Sequence, residues 1–350
     1  MPFELPEDPR TARRTAIWRW VSFALVALLV AVVAYLVYVG FVGSGQVVEP
    51  PGASTDCRTP RVAYGWAYEA INYDLAADDA VAGYDDPSRC PEQGEAAGEA
   101  LVTSDGRAIA GWYIPAGDGA GPTAATVVLA HGHGSNKSAM LPWAEVLHES
   151  YNLVLFDFRN HGQSEDAQTT VGLTEQRDLD AVLDWLVAAK GPEQVAVLGV
   201  SMGGAAAVNE AVRDGRVAAL VLDATHATLA NALQARLERA GYPMGLPAAW
   251  SVLMGGLVRT GQDMSAGDPV QAIERYGDDG RPVLIIAGGQ DDAIGRNDAA
   301  ELLAAAQAGG AAAELQVCDA AGHAGSVSAC PDEYREWVLG FLSRSMSPSS

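Results

Sequence analysis

The chain has 350 residues, 49% of them hydrophobic and 19% charged, with 22 Lys and Arg against 44 Asp and Glu. That length and apolar content suffice for a full core and exclude general disorder. The formal net charge of −22 opposes phosphate backbones, so nucleic acid is not an expected partner.

From Ile17 to Val42 the only ionised side chain is Arg19. At about 1.5 Å per residue such a run crosses a hydrocarbon core of about 30 Å, so residues 17–42 are predicted to form one transmembrane helix. Trp18 and Trp20 mark one end, Tyr35 and Tyr38 lie toward the other, and Arg10, Arg13 and Arg14 precede the span. This arrangement makes residues 1–16 cytoplasmic and the rest of the chain extracytoplasmic. The competing reading is a cleaved secretory signal, with Arg13-Arg14 hinting at twin-arginine export; either way the body leaves the cytoplasm. Cys57, Cys90, Cys318 and Cys330 then face an oxidising compartment. Four cysteines permit three pairings, of which sequence proximity favours Cys57 with Cys90 and Cys318 with Cys330.

Residues 43–60, rich in Gly, Pro and Ser, read as a linker lifting the body off the membrane. With residues 61–98, which carry Tyr64, Trp66, Tyr68 and Tyr73 as packing aromatics, they make an N-terminal linker and extension over 43–99. The body is expected over 100–343, with a tail at 344–350. It opens with a hairpin, strands at 100–103 and 108–114 joined by an Asp105-Gly106 turn. Apolar strands follow at 125–130, 153–158, 195–200, 218–223, 283–287 and 314–318. They alternate with helices at 138–149, 174–189, 201–213, 297–308 and 332–343. Such alternation predicts an α/β fold with a mostly parallel sheet covered on both faces, its chemistry at the carboxyl ends of the strands. Residues 224–281 are too long for a simple crossover and are predicted to be a small helical lid, with helices at 228–240, 247–258 and 268–276. Its bulky residues, Leu229, Leu233, Met244, Leu246, Trp250, Leu253, Met254 and Leu257, are expected mostly to pack lid on body, a minority lining an acyl pocket.

Gly199-Val200-Ser201-Met202-Gly203 joins the 195–200 strand to a helix. The two glycines let strand and helix approach while Ser201 is lifted from the backbone, as a serine nucleophile requires. After the 125–130 strand, His131-Gly132-His133-Gly134 can turn toward the serine, so that the amides of His133 and Met202 converge on an oxyanion. His131 is read as a brace, and no further ligands recur to make a His-x-His metal site. Gly288-Gly289-Gln290-Asp291-Asp292-Ala293-Ile294 follows the next-to-last strand and Gly322-His323 the last, giving Ser, Asp, His in order. His323 is the base. Asp291 is the preferred acid, with Asp292 the alternative. His161 and His226 are read as structural, and 157–164 as a loop bracing the oxyanion turn.

Together the Ser201 elbow, the 131–134 turn, the 157–164 block, the 288–294 acid loop and Gly322-His323 resemble the α/β-hydrolase superfamily. The resemblance is to its lid-bearing serine-hydrolase branch, with BEM46-like and serine aminopeptidase-like esterases and lipases. It covers residues 100–343 and departs from the pattern in the doubled Gly and doubled Asp of the acid loop and in the N-terminal extension. It implies hydrolysis of carboxylic esters, thioesters or amides through an acyl-serine intermediate without a cofactor; the expected substrate is a small-molecule or lipid ester, and no metal is expected. A peptidase or aminopeptidase would share every catalytic residue and would need a lid acid for the substrate amine. Glu238, Asp268 and Glu274 lie there, as do Arg236, Arg239 and Arg275. An inactive binding module on the same fold is the third reading.

Overall fold

The uncharged runs that predicted strands form a parallel core because their main-chain groups find partners only in neighbouring strands. The computed structural model describes residues 9–50, 58–74, 95–96, 101–117 and 125–346. Its N-terminal part contains α1 (Pro9–Val48), α2 (Pro60–Tyr64), β1 (Glu69–Ile71), β2 (Tyr73–Asp74) and β3 (Glu95–Ala96). The body begins with β4 (Gly111–Ile114), β5 (Thr126–Ala130), α3 (Leu141–Leu147), β6 (Asn152–Phe156) and α4 (Gln176–Ala189). Next come β7 (Val195–Val200), α5 (Met202–Ala211), β8 (Val217–Asp223), α6 (Leu229–Arg239), α7 (Gly245–Thr260) and α8 (Pro269–Tyr276). The chain closes with β9 (Pro282–Gly288), α9 (Asp298–Ala308), β10 (Ala312–Cys318), α10 (Ser326–Ala329) and α11 (Pro331–Ser345).

The main sheet has eight strands in the order β1-β4-β6-β5-β7-β8-β9-β10. From β6 to β10 all neighbours are parallel, while β4 runs antiparallel to β6 and β1 antiparallel to β4. One apolar layer packs α4, α5, α8 and α9 on the first face, and a second packs α3 and α11 on the other. The parallel strands therefore deliver Ala130, Val200, Asp223, Gly288 and Cys318 to a common edge.

Three local expectations are corrected. The expected hairpin is reduced to a Val102–Ala108 bridge, because the second arm spends its hydrogen bonds on β6 and β1 instead. The strand expected to end at Phe158 stops at Phe156, since the Phe158 N–H is taken by Nε2 of His131. The extension is not a separate appendage: its Glu69–Ile71 strand completes the sheet edge, and Tyr64, Trp66 and His148 form one stack. Cys57 and Cys90 lie outside the described residues.

The largest difference is at the N-terminal helix. Helix α1 does not end at Val42 but runs on to Val48, so residues 43–48 are helix rather than linker. Their small side chains explain why. Gly40 and Ser44 on α1 face Ser251 and Gly255 on α7, so that a Cβ on Gly40 would lie 2.5 Å from the Ser251 carbonyl oxygen and one on Gly255 2.5 Å from that of Gly40. Small residues four apart on both helices permit backbone contact. Tyr35 Oη donates to the Pro243 carbonyl, and Arg259 reaches Ser44 and the Phe41 carbonyl. The lid is thus α6 and α7, with α8 returning to pack beside α5 and α9. Helix α7 buries Ala248, Ala249, Val252, Leu253 and Gly256. It leaves Leu246, Trp250, Met254 and Leu257 exposed, contrary to the expectation that most lid apolar residues pack inward.

Candidate active site

Ser201 stands between β7 and α5 with φ 54° and ψ −114°, a conformation that an L-residue holds only where surrounding packing enforces it. A Cβ on Gly199 would meet the main chain of Gly203 at 2.5 Å, and one on Gly203 would meet the Ala130 carbonyl at 2.1 Å. Both glycines are therefore demanded by contact. Nε2 of His323 lies 3.1 Å from Ser201 Oγ, and its Nδ1 lies 2.8 Å from Oδ2 of Asp291. Three side chains distant in sequence form one hydrogen-bonded line.

The acid loop explains its own doubled glycine. A Cβ on Gly288 would come within 2.5 Å of the Ala321 carbonyl and one on Gly289 within 2.7 Å of the Asp319 α-carbon. The two loops lie flat against each other, and Gly289 and Gln290 donate to the carbonyls of Cys318 and Ala321. That fixes which acid turns inward. Asp291 has a 5% exposed side chain and accepts from the Ala293 N–H, whereas Asp292 is 65% exposed and pairs with Arg239. A Cys318–Cys330 disulfide closes the segment that carries His323.

The 131–134 turn sits over the serine: a Cβ on Gly132 would touch Cβ of Ser201 at 3.4 Å. Met202 is the first residue of α5, so its N–H has no intrahelical acceptor. The turn is held by imidazoles and a buried ion pair. His131 accepts the Phe158 N–H and donates to the Gly132 carbonyl, and His161 accepts the Gly134 N–H. Asp157 accepts from Lys137 Nζ and from the main-chain N–H groups of Lys137 and Gln163. Burial, reinforced by His161, holds His131 down to about 3, so it braces as a neutral ring. The expectation for 157–164 identified the brace but not Lys137, which lies twenty residues earlier. Arg159 is clamped by Asp178 and Asp105 rather than facing the serine.

Beside Ser201 lies a cavity of about 30 Å³, space for little more than one water molecule. Its walls are His133, Val171, His226, Leu229, Leu233, Arg236 and, from the far end of α1, Val47. His133 Nε2 donates to the Val47 carbonyl at 2.8 Å. The Val48 carbonyl accepts from Thr169 N–H and Asn160 Nδ2. The sequence reading missed Val47, which was assigned to the linker. Burial first, then Arg236, holds His226 down to about 3 as a neutral ring, and its Nε2 has no partner among the described residues.

Comparison with known proteins agrees with this fold. A model of the alpha/beta hydrolase family matches residues 127–337. Rv2307c of Mycobacterium tuberculosis is 32% identical over 210 residues, which are 59% of this chain and 66% of that protein. YfhR of Escherichia coli is 29% identical over 177 residues, 49% of this chain and 60% of that one, so the chain spans about three fifths of this relative's length. Among solved structures, an esterase of Pyrococcus furiosus superposes with a TM-score of 0.65 at 23% identity, covering 86% of this chain and 99% of that one. With a parallel sheet, a strand-to-helix serine turn and a matching family model, the chain belongs to the alpha/beta hydrolase family.

Proposed function

We propose that this hydrolase cleaves carboxylic esters by a Ser201–His323–Asp291 triad. The observation that carries the reading is the continuous contact from Ser201 Oγ through the imidazole to the Asp291 carboxylate. In the first half-reaction His323 Nε2 takes the Ser201 proton as Oγ attacks the ester carbonyl carbon, and the amides of His133 and Met202 receive the oxyanion. His323 then gives that proton to the leaving alkoxide, leaving an acyl-serine. Water deprotonated by His323 attacks the acyl carbon, and the proton returns to Ser201 as the acid departs. Asp291 holds the imidazole in the tautomer that both steps need.

The same proposal places the enzyme on a membrane by one N-terminal helix, body outside. Support comes from the Ile17–Val48 stretch, with mean hydropathy 2.8 over its most apolar eighteen residues and only 11% of that window buried. The exposed face of α7 beside it is apolar along its length, and the Cys318–Cys330 disulfide fits an oxidising compartment. The test is a fluorophosphonate probe applied to the full-length chain in detergent. Labelling of the native protein and none of Ser201→Ala is expected; equal labelling of both would end the reading. Alkaline phosphatase fused after Pro50 should be active, and inactivity there would reverse the orientation.

A further inference from the structure

Besides Ser201 and the His133 ring, which is bonded to the Val47 carbonyl, the walls of the cavity are apolar with two exceptions that the triad does not use. One is the imidazole of His226, whose Nε2 is buried without a partner among the described residues. The other is the guanidinium of Arg236. Arg236 sits on the same face of α6 as Leu229, Ala232 and Leu233, at spacings of seven, four and three residues, so the helix itself aims it into the cavity.

A partly buried guanidinium needs acceptors. Arg236 has one long bond, Nε to the Ala293 carbonyl at 3.4 Å. Among the described residues no carboxylate lies within 4.0 Å of it. The nearby acids are engaged elsewhere: Asp291 with His323, Asp292 with Arg239, and Glu238 with Gln234. Asp268, the other lid acid, accepts from the Leu229 N–H. Burial, and Arg239 after it, push the guanidinium below its ordinary value, with Asp291 opposing. In a chain of net charge −22, the reacting serine thus faces a cation and no lid carboxylate.

We infer that the substrate ester carries an anionic oxygen group, carboxylate or phosphate, near the scissile bond, held by Arg236 with His226 Nε2 as a second contact. Arg236 is a specificity residue here, and the inference rests on the Ser201 hydrolase reading. The same cation repels an amine, so aminoacyl substrates are disfavoured. The group would replace the carboxylate partner that the fold withholds, with a charge-assisted bond in a site poor in water.

The test uses the full-length chain in neutral detergent micelles, with kcat/KM measured for matched ester pairs. 4-Nitrophenyl butyrate is compared with the mono-4-nitrophenyl ester of glutarate, and a monoacylglycerol with its phosphate. The first pair reports a carboxylate on the acyl side, the second a phosphate on the alcohol side. At least one anionic ester is expected to exceed its neutral partner by about tenfold or more, the size of one charged hydrogen bond. Arg236→Gln should reduce that ratio to near one, and Arg236→Lys should retain much of it. In parallel, inorganic phosphate or glutarate should raise the Tm of Ser201→Ala but not of Ser201→Ala combined with Arg236→Gln. If Ser201 is shown to take the probe, equal turnover within both pairs by the unlabelled enzyme overturns the inference, as does a preference that survives Arg236→Gln. If Ser201 takes no probe, the hydrolase reading falls by itself, and the anion-binding measurement alone decides the role of Arg236.

Discussion

Oδ2 of Asp291 lies 2.8 Å from Nδ1 of His323, while the next residue, Asp292, turns outward to Arg239 at 3.1 Å. One residue of backbone separates a proposed catalytic role from a surface ion pair. Asp291→Asn keeps the shape but favours the wrong imidazole tautomer, and a loss of about 10⁴-fold in kcat is expected, as for the corresponding change in other Ser-His-Asp enzymes. Asp292→Asn breaks only an exposed pair and should change kcat by less than about fivefold. Steady-state rates on 4-nitrophenyl butyrate decide; equal losses would remove Asp291 from the triad.

Val47 walls the cavity although it lies 154 residues before the serine in the sequence. Val47→Ala should favour esters one or two methylenes longer by about tenfold relative to acetate, and Val47→Phe should do the reverse. An acyl-chain-length profile identical in all three proteins would show that the end of α1 does not shape the substrate.

Gly40 is in backbone contact with Ser251. Gly40→Val must push α1 from α7, and overpacking of this kind costs about 1–3 kcal/mol, a fall of several degrees in Tm. Gly45→Ala is the control, since its Cβ would meet only the tip of Arg259 at 3.4 Å. Equal Tm values for Gly40→Val and native protein in micelles would mean that α1 and α7 are not packed in solution.

Asp223, at the end of β8, accepts from Trp143 Nε1 and Tyr334 Oη in a fully buried site. Burial raises its carboxyl from 3.8 to about 6. Because the folded value is the higher one, the folded state holds the proton more tightly, and this stabilisation, full below about pH 4, is lost as pH rises through 6. Asp223→Asn lacks this response. Relative to native protein, its Tm should therefore climb between pH 4 and 6 and then level, by an amount equivalent to at most about 3 kcal/mol. A flat difference across that range would contradict the assignment.

Much of the site was legible because each motif is local. Gly199 and Gly203 flank the serine wherever strand must meet helix, and Gly322-His323 follows the last strand. Between Asp291 and Asp292 the sequence leaves both open; loop-on-loop packing at Gly288 and Gly289, between segments about thirty residues apart, turns Asp291 toward His323. Lys137 beneath Asp157 was hidden for the same reason. Two packing features are written in the sequence as spacings. Gly40 and Ser44 repeat the four-residue spacing of Ser251 and Gly255, and Arg236 continues the stripe begun by Leu229, Ala232 and Leu233. Short edge pairing at Glu69–Ile71 gave no signal, since three residues show no period.

The last turn of α1 ends in the pocket wall, bonded through the carbonyls of Val47 and Val48 to His133, Asn160 and Thr169. On the proposed membrane-tethered reading, cleavage just after Val48 would remove this wall together with the span. The released body would then be expected to present an open trough beside Ser201, with a selectivity different from that of the full-length chain.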